Sequence, residues 1–403
     1  MSDKEKSVIS FLIDDTPSAE QASKTFSDDY ELDFQDFLER TVGESAAEDF
    51  SYSNNAVKKA GRRLRKKEGD LKSATTTIQQ FRAAHEKPLN TIAYLIGRCC
   101  RELDIDVKPV TRLKRLDTII DKLQRKSLGG KTANATCVTN MNDIGGCRAI
   151  FPDLKSLEQV KAQLQGTIEK VGRVRIKDID NYISTPKSND CGYRSLHVIY
   201  RYDHASGKSF NIEAQLRTKL QHLWATTVEI VDILEGTKIK THSHSDNKYK
   251  IDLQIKWEEL LSIMSRYIAD AEGAIELDKE EKNQFSIRLR ELDNEINALG
   301  RLKTFNILSE QVQACCGDKT EHVLLMIDEN SLELIFSDEF DNYSQAISVY
   351  NAAEKMTRSQ SGINTLLIST KNMGQLSEAY PNYLGDCASF ILLLQEAMLS
   401  GES

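Results

Sequence analysis

Hydrophobic and polar positions alternate strictly from Phe210 to Arg217, with Ile212, Ala214 and Leu216 on one side and Glu213, Gln215 and Arg217 on the other. Period-two alternation predicts a strand with one buried and one working face. Upstream, Cys147 to Phe151 is a short apolar run flanked by glycines, which predicts a buried strand with Asp143 just before it. Elsewhere the period is helical. Ile78, Phe81, Leu89, Ile92, Leu95 and Ile96 form an apolar stripe through 71–104, with Pro88 predicted to break it into two helices. In VTRLKRLDTIIDKLQRK, Leu113, Leu116, Ile119, Ile120 and Leu123 predict the buried face of a further helix, leaving Arg112, Arg115, Lys122 and Arg125 on other faces with Lys114 beside them. LKSLEQVKAQLQGTI predicts an amphipathic helix and VGRVRIKDI a short strand.

Beyond Gly236 two long helical patterns follow, and Phe285, Leu289, Leu292, Ile296 and Leu299 space themselves as a short coiled-coil-like seam, which a packed bundle or an oligomer contact would equally explain. The pattern then changes. HVLLMID, SLELIFS and NTLLIST predict strands, NYSQAISVYNAAEKM a helix and LGDCASFILLLQEAM a terminal helix, together a small α+β domain. The expected organisation is an acidic leader over 1–53, a catalytic domain over 54–235, a helical region over 236–317 and a regulatory α+β domain over 318–403.

Charge adds one feature to this picture. The 403 residues carry a formal net charge of −8, yet Lys58, Lys59, Arg62, Arg63, Arg65, Lys66 and Lys67 crowd one helical stretch, as either a solvated face or a contact for a phosphate backbone. The eight cysteines show no CxxC or metal-type spacing and predict reduced, mostly buried thiols; His242 and His244 predict a solvated loop rather than a metal pair. No secretory or membrane-spanning segment is recognised, so a cytoplasmic protein is expected.

A carboxylate at a strand edge and a second inside a neighbouring strand, ringed by lysines and arginines, suit metal-assisted phosphoryl chemistry: a hard cation takes oxygen ligands and the bases hold phosphates. Read singly, Asp143 could cap a turn, Tyr193 and His197 could pack beside a strand, and Arg217 could pair with Glu213.

TRLKRLDTIIDKL, NDIGGCRAIF, DNYISTPK, GYRSLH, IEAQLRT and LWATTVE, in that order, resemble the synthetase domain of the RelA/SpoT alarmone synthetases over about 54–234. The resemblance implies an α+β fold, with a mixed-sheet nucleotidyltransferase-like core flanked by helices. It implies transfer of the β,γ-pyrophosphate of ATP to a nucleotide 3′-hydroxyl. It gives Asp143 and Glu213 as Mg2+ ligands, with Glu213 also the base. Arg112 and Arg148 would sandwich the adenine of ATP, and Lys114 and Lys122 would hold its phosphates. Tyr193 would stack on the acceptor base, with Lys187, His197, Gln215 and Arg217 on the acceptor side. One departure is SNDC between Lys187 and Gly192, longer than the family's spacing, which implies a reshaped acceptor loop. No hydrolase-type His/Asp cluster precedes the domain.

The whole-chain layout and the YPNY of Tyr380 to Tyr383 resemble fused toxin–antitoxin proteins of the CapRel type. That resemblance implies a toxin of the phage-defence type that modifies the tRNA 3′ end, with Tyr380 and Tyr383 blocking the ATP site until a phage protein binds the C-terminal domain. Two alternatives stand beside it: a (p)ppGpp synthetase using GTP or GDP, and a non-catalytic nucleotide sensor.

Overall fold

The computed structural model describes residues 52–124, 137–187, 191–204, 206–235, 239, 248–303, 305, 322–328, 334–357, 363–369 and 383–400. Residues 1–51 of the acidic leader, Arg125, His242, His244 and Tyr380 lie outside the described residues. Among those described, 52–185 with 194–219 form one compact unit, and 186–193 with 220–400 form another.

The first unit begins with three helices: α1 (Asn54–Lys66), α2 (Leu71–Ala83) and α3 (Glu86–Glu102). Ser53 and Asp70 cap the first two by accepting from Ala56 N and Ser73 N, satisfying amides that a helix start leaves unpaired. Pro88 does not break a helix. The break falls at Ala84 and His85, and Pro88 sits in the first turn of α3, where its missing N–H costs no helical hydrogen bond.

A second departure concerns 110–126. Val110–Leu113 is a strand, β1, and among the described residues the helix, α4, covers Leu116–Gln124. The apolar spacing fitted a helix because Ile119 and Leu123, the fully buried pair, do lie in one. The edge position of β1, paired on one side only, is invisible to periodicity.

The remaining elements are β2 (Gly145–Phe151), α5 (Leu154–Val171), β3 (Val174–Asn181), β4 (Leu196–Asp203) and β5 (Ser209–Thr218). They build a mixed sheet in the order β1-β2-β5-β4-β3, parallel between β2 and β5 and antiparallel elsewhere. Ile212, Ala214 and Leu216 are buried under α3 and α5, while Glu213 and Gln215 stand on the opposite face. The predicted alternation of β5 is thus present, and the expected α+β class with a mixed sheet flanked by helices is observed.

The second unit contains α6 (Lys219–Glu235, its first residue in the sheet unit), α7 (Lys248–Ala271), α8 (Lys279–Ile296), β6 (His322–Asp328), β7 (Leu334–Phe340), α9 (Tyr343–Thr357), β8 (Ile363–Ser369) and α10 (Tyr383–Leu399). Helix α8 stops at Asn297, which adopts a left-handed conformation at φ 52, so the apolar spacing through Leu299 is not one continuous helix. Leu289, Leu292 and Ile296 pack instead in a helical core with Trp224, Trp257, Phe390, Leu393 and Leu394. Helix α10 belongs to this core although it follows the C-terminal strands in the chain: Ser286 Oγ donates to Met398 O and Cys387 Sγ to Leu302 O. The strands form a separate antiparallel sheet, β7-β6-β8, covered by α9. Among the described residues no helix is long and apolar enough to cross a membrane.

Candidate active site

The site is built where β2 and β5 run parallel. Asp143 lies two residues before β2, and Gly146 and Arg148 on β2 are the register partners of Glu213 and Gln215 on β5. Partners in neighbouring strands point to the same face, so these groups share one surface. On the far side of β2, Arg112 of β1 pairs with Gly146; on the far side of β5, His197 of β4 pairs with Gln215 and Asp180 of β3 with His197.

Asp143 is held by two cations. Lys114 Nζ and Lys122 Nζ each donate to its Oδ2 at 2.8 Å. Burial alone would push its carboxyl up, but the charges and hydrogen bonds of Lys122 and Lys114 outweigh burial and hold it below the usual carboxylate range. Its other oxygen, Oδ1, is buried and has no hydrogen-bond partner. An ionised carboxylate with one oxygen left over is a ready ligand for a cation or a phosphate-bound metal.

Glu213 is ordered along its own strand and across it. Gln215 Nε2 donates to Glu213 Oε2 at 3.0 Å, and Arg217 Nη2 donates to Gln215 Oε1 at 3.1 Å. His197 Nδ1 lies 3.4 Å from Glu213 Oε1. Arg217 therefore reaches Glu213 through Gln215 in a chain that alternate strand positions make possible. Burial pushes the Glu213 carboxyl up and Asp143 opposes its ionisation, yet the contacts of His197 and Gln215 leave it lowered.

Three supporting residues were not singled out from the sequence. Arg82, near the end of α2, donates through Nε to Lys114 O at 2.6 Å and anchors the turn that carries Lys114, whose own amide donates to Ile144 O at 2.8 Å. Tyr182 stands edge-on to His197, with ring centroids 5.6 Å apart. Asp180 reaches the face only through strand register. Tyr182 and Asp180 did carry a signal, because both lie within DNYISTPK; Arg82 carried none.

The structure brings together Asp143, Lys114 and Lys122, and places Arg112, Arg148, His197, Glu213, Gln215 and Arg217 on one sheet. Lys187 and Tyr193 belong to the other unit, where Lys187 N donates to Tyr193 O at 3.2 Å. Tyr383 opens α10. Asp143 and Glu213 are two protein carboxylates, and among the described residues no group of three or more metal-type side chains exists.

This fold and face define an α+β domain with two carboxylates and several cations on one side of its mixed sheet. The family described as a region found in RelA / SpoT proteins matches residues 111–231 of this chain. The match starts at β1, leaving α1 to α3 outside it. A comparison with curated proteins found no match. Similar solved structures include small alarmone synthetase 1 from Bacillus subtilis bound to its product pppGpp, at 22% identity and TM-score 0.36, covering 49% of this chain and 98% of that one. A GTP pyrophosphokinase family protein from Streptococcus pneumoniae is similar at 21% identity and TM-score 0.36, with 51% and 96% covered. Small alarmone synthetase 2 from Bacillus subtilis is similar at 20% identity and TM-score 0.35, with 48% and 94% covered. These are likenesses too low to transfer an activity.

Proposed function

We propose that the chain is an ATP-dependent pyrophosphotransferase, moving the β,γ-pyrophosphate of ATP to a 3′-hydroxyl. The observation that carries this reading is Asp143, its Oδ2 shared by two lysines and its Oδ1 buried and unpartnered, within the RelA/SpoT region. Mg2+ held by Asp143 and Glu213 would neutralise charge on the transferred group.

The chain's own residues supply the rest. Lys114 and Lys122 hold phosphate oxygens, and the planar guanidinium groups of Arg112 and Arg148 take the adenine between them. Glu213 accepts the proton of the acceptor hydroxyl, its carboxylate kept ionised and oriented by His197 and Gln215. Tyr193 stacks on the acceptor base, with Lys187 and Arg217 on the acceptor's phosphates.

The proposed acceptor is the 3′ end of tRNA. Supporting this is α1, on which Lys58, Lys59, Arg62, Arg63 and Lys66 are exposed, with Lys67 exposed just beyond it; such a row suits a nucleic-acid backbone. With the CapRel-type layout, the chain reads as a phage-defence toxin restrained by its C-terminal domain until a phage protein binds there. Incubation with γ-labelled ATP and GTP, GDP or total tRNA tests both levels. Label on tRNA supports the full reading, and label on GTP or GDP alone makes the chain a (p)ppGpp synthetase. No transfer to any of them, with ATP still bound, leaves a nucleotide sensor.

A further inference from the structure

We propose that Ser265 of α7 is a positioning residue for the acceptor, acting through the segment that carries Tyr193. The proposal rests on the reading of Tyr193 as the acceptor-stacking ring. Ser265 is 2% exposed, and its Oγ donates to the carbonyl of Gly192, 73 positions away in the chain. That carbonyl belongs to the Gly192–Tyr193 peptide, so the bond fixes the plane from which Tyr193 departs.

The approach is close enough to exclude any side chain at 192. A Cβ built there would lie 2.5 Å from Ser265 Cβ and 2.8 Å from its Oγ, and Gly192 has φ +110, a conformation that side chains rarely adopt. On either side of this contact, Cys191 and Tyr193 pack against the helical core. The ring of Tyr193 meets Trp224 edge-on at 6.4 Å, and Trp224 Nε1 donates to Leu261 O at 2.7 Å. Leu261 and Ser265 are four residues apart in α7, hence on one face of it. One helix face thereby holds the Tyr193 backbone directly and its ring through Trp224, and Lys187 N closes the segment on Tyr193 O.

A ring held this way is ordered before the acceptor arrives, so the acceptor does not bear the cost of ordering it. Ser265 touches no substrate. The helical unit thus sets the geometry of a residue assigned to the chemistry, a dependence that no local pattern around Tyr193 reveals.

The test uses the full chain with γ-labelled ATP and whichever of GTP, GDP or tRNA takes the label. Ser265→Ala should raise the acceptor KM about tenfold, the scale of one buried hydrogen bond, with the ATP KM within about twofold of the parent. Amide exchange at 191–193 should quicken while α7 stays protected. Ser265→Cys, which keeps the volume and a weak donor, should fall between the two; it carries the comparison if Ser265→Ala does not fold. Tyr193→Ala separates the two layers of inference. If it raises the acceptor KM and a folded Ser265→Ala does not, or Ser265→Ala raises both KM values alike, the positioning role is wrong. If Tyr193→Ala leaves the acceptor KM unchanged, the reading of Tyr193 fails; positioning of the acceptor through it falls with it, and the exchange data then report only whether Ser265 orders the segment.

Discussion

Gly146 of β2 stands directly opposite Glu213 of β5 in the parallel pair. A Cβ at 146 would lie 3.6 Å from Glu213 O, an ordinary contact, so the sheet itself tolerates a side chain there. The side chain would nevertheless project onto the working face beside the carboxylate. Gly146→Val should therefore keep its melting temperature within a few degrees while pyrophosphate transfer falls about tenfold or more. Loss of folding in this variant would show that the glycine serves the sheet instead.

Asp143→Ala removes the proposed cation ligand and leaves the ammonium groups of Lys114 and Lys122 facing each other without their shared carboxylate. Transfer should fall by about a hundredfold or more, with Asp143→Asn close behind, because an amide restores shape but not charge. Steady-state transfer over a Mg2+ titration checks this. Near-parental activity in either variant would remove Asp143 from the mechanism.

The lowered Glu213 carboxyl predicts a pH effect. His197 is the main group keeping it ionised against burial, so His197→Ala should raise its pKa and move the acid limb of the kcat/KM profile to higher pH. An acid limb that stays in place would mean another group sets it.

Buried His85 predicts a loss of stability in acid. It is 1% exposed, its Nδ1 donates to Phe81 O at 2.8 Å, its ring meets those of Phe81 and Phe210 edge-on, and burial lowers its pKa from 6.5 to about 4. The unfolded chain binds this proton first as pH falls, so stability is full above pH 6.5 and is lost between 6.5 and about 4, by on the order of 3 kcal/mol. Urea unfolding across that range should show the loss, and His85→Gln should flatten it.

Restraint by the C-terminal domain has to be tested without deleting it. Removing 318–403 would take away α10, and with it Phe390, Leu393 and Leu394 from the helical core, so a truncated chain would lose packing as well as any inhibitor. Changing Tyr380 and Tyr383 together to Ala in the full chain leaves those core residues in place. The pair should raise transfer several-fold, in line with release of a tethered inhibitor. Unchanged transfer in a folded protein would end the autoinhibition proposal.

Much of the site could be read from residues alone, because β5 is half-buried and its period of two separates Glu213, Gln215 and Arg217 from their apolar neighbours. The same holds for Asp143, marked by the glycines and the apolar run that follow it. The helical spacing of 110–126 misled, since an edge strand buries too little to impose its own period, and the apolar residues of α4 dominated the pattern. Register is the larger gap. That Gly146 faces Glu213 and Asp180 faces His197 follows from strand pairing, which is set by long-range hydrogen bonds. Likewise the convergence of Lys114 and Lys122 on one carboxylate oxygen, the bond from Ser265 to Gly192 and the burial of α10 beside α8 join residues 21 to 112 positions apart. Local periodicity fixes which face of an element is buried, and only the packed chain decides what that face meets.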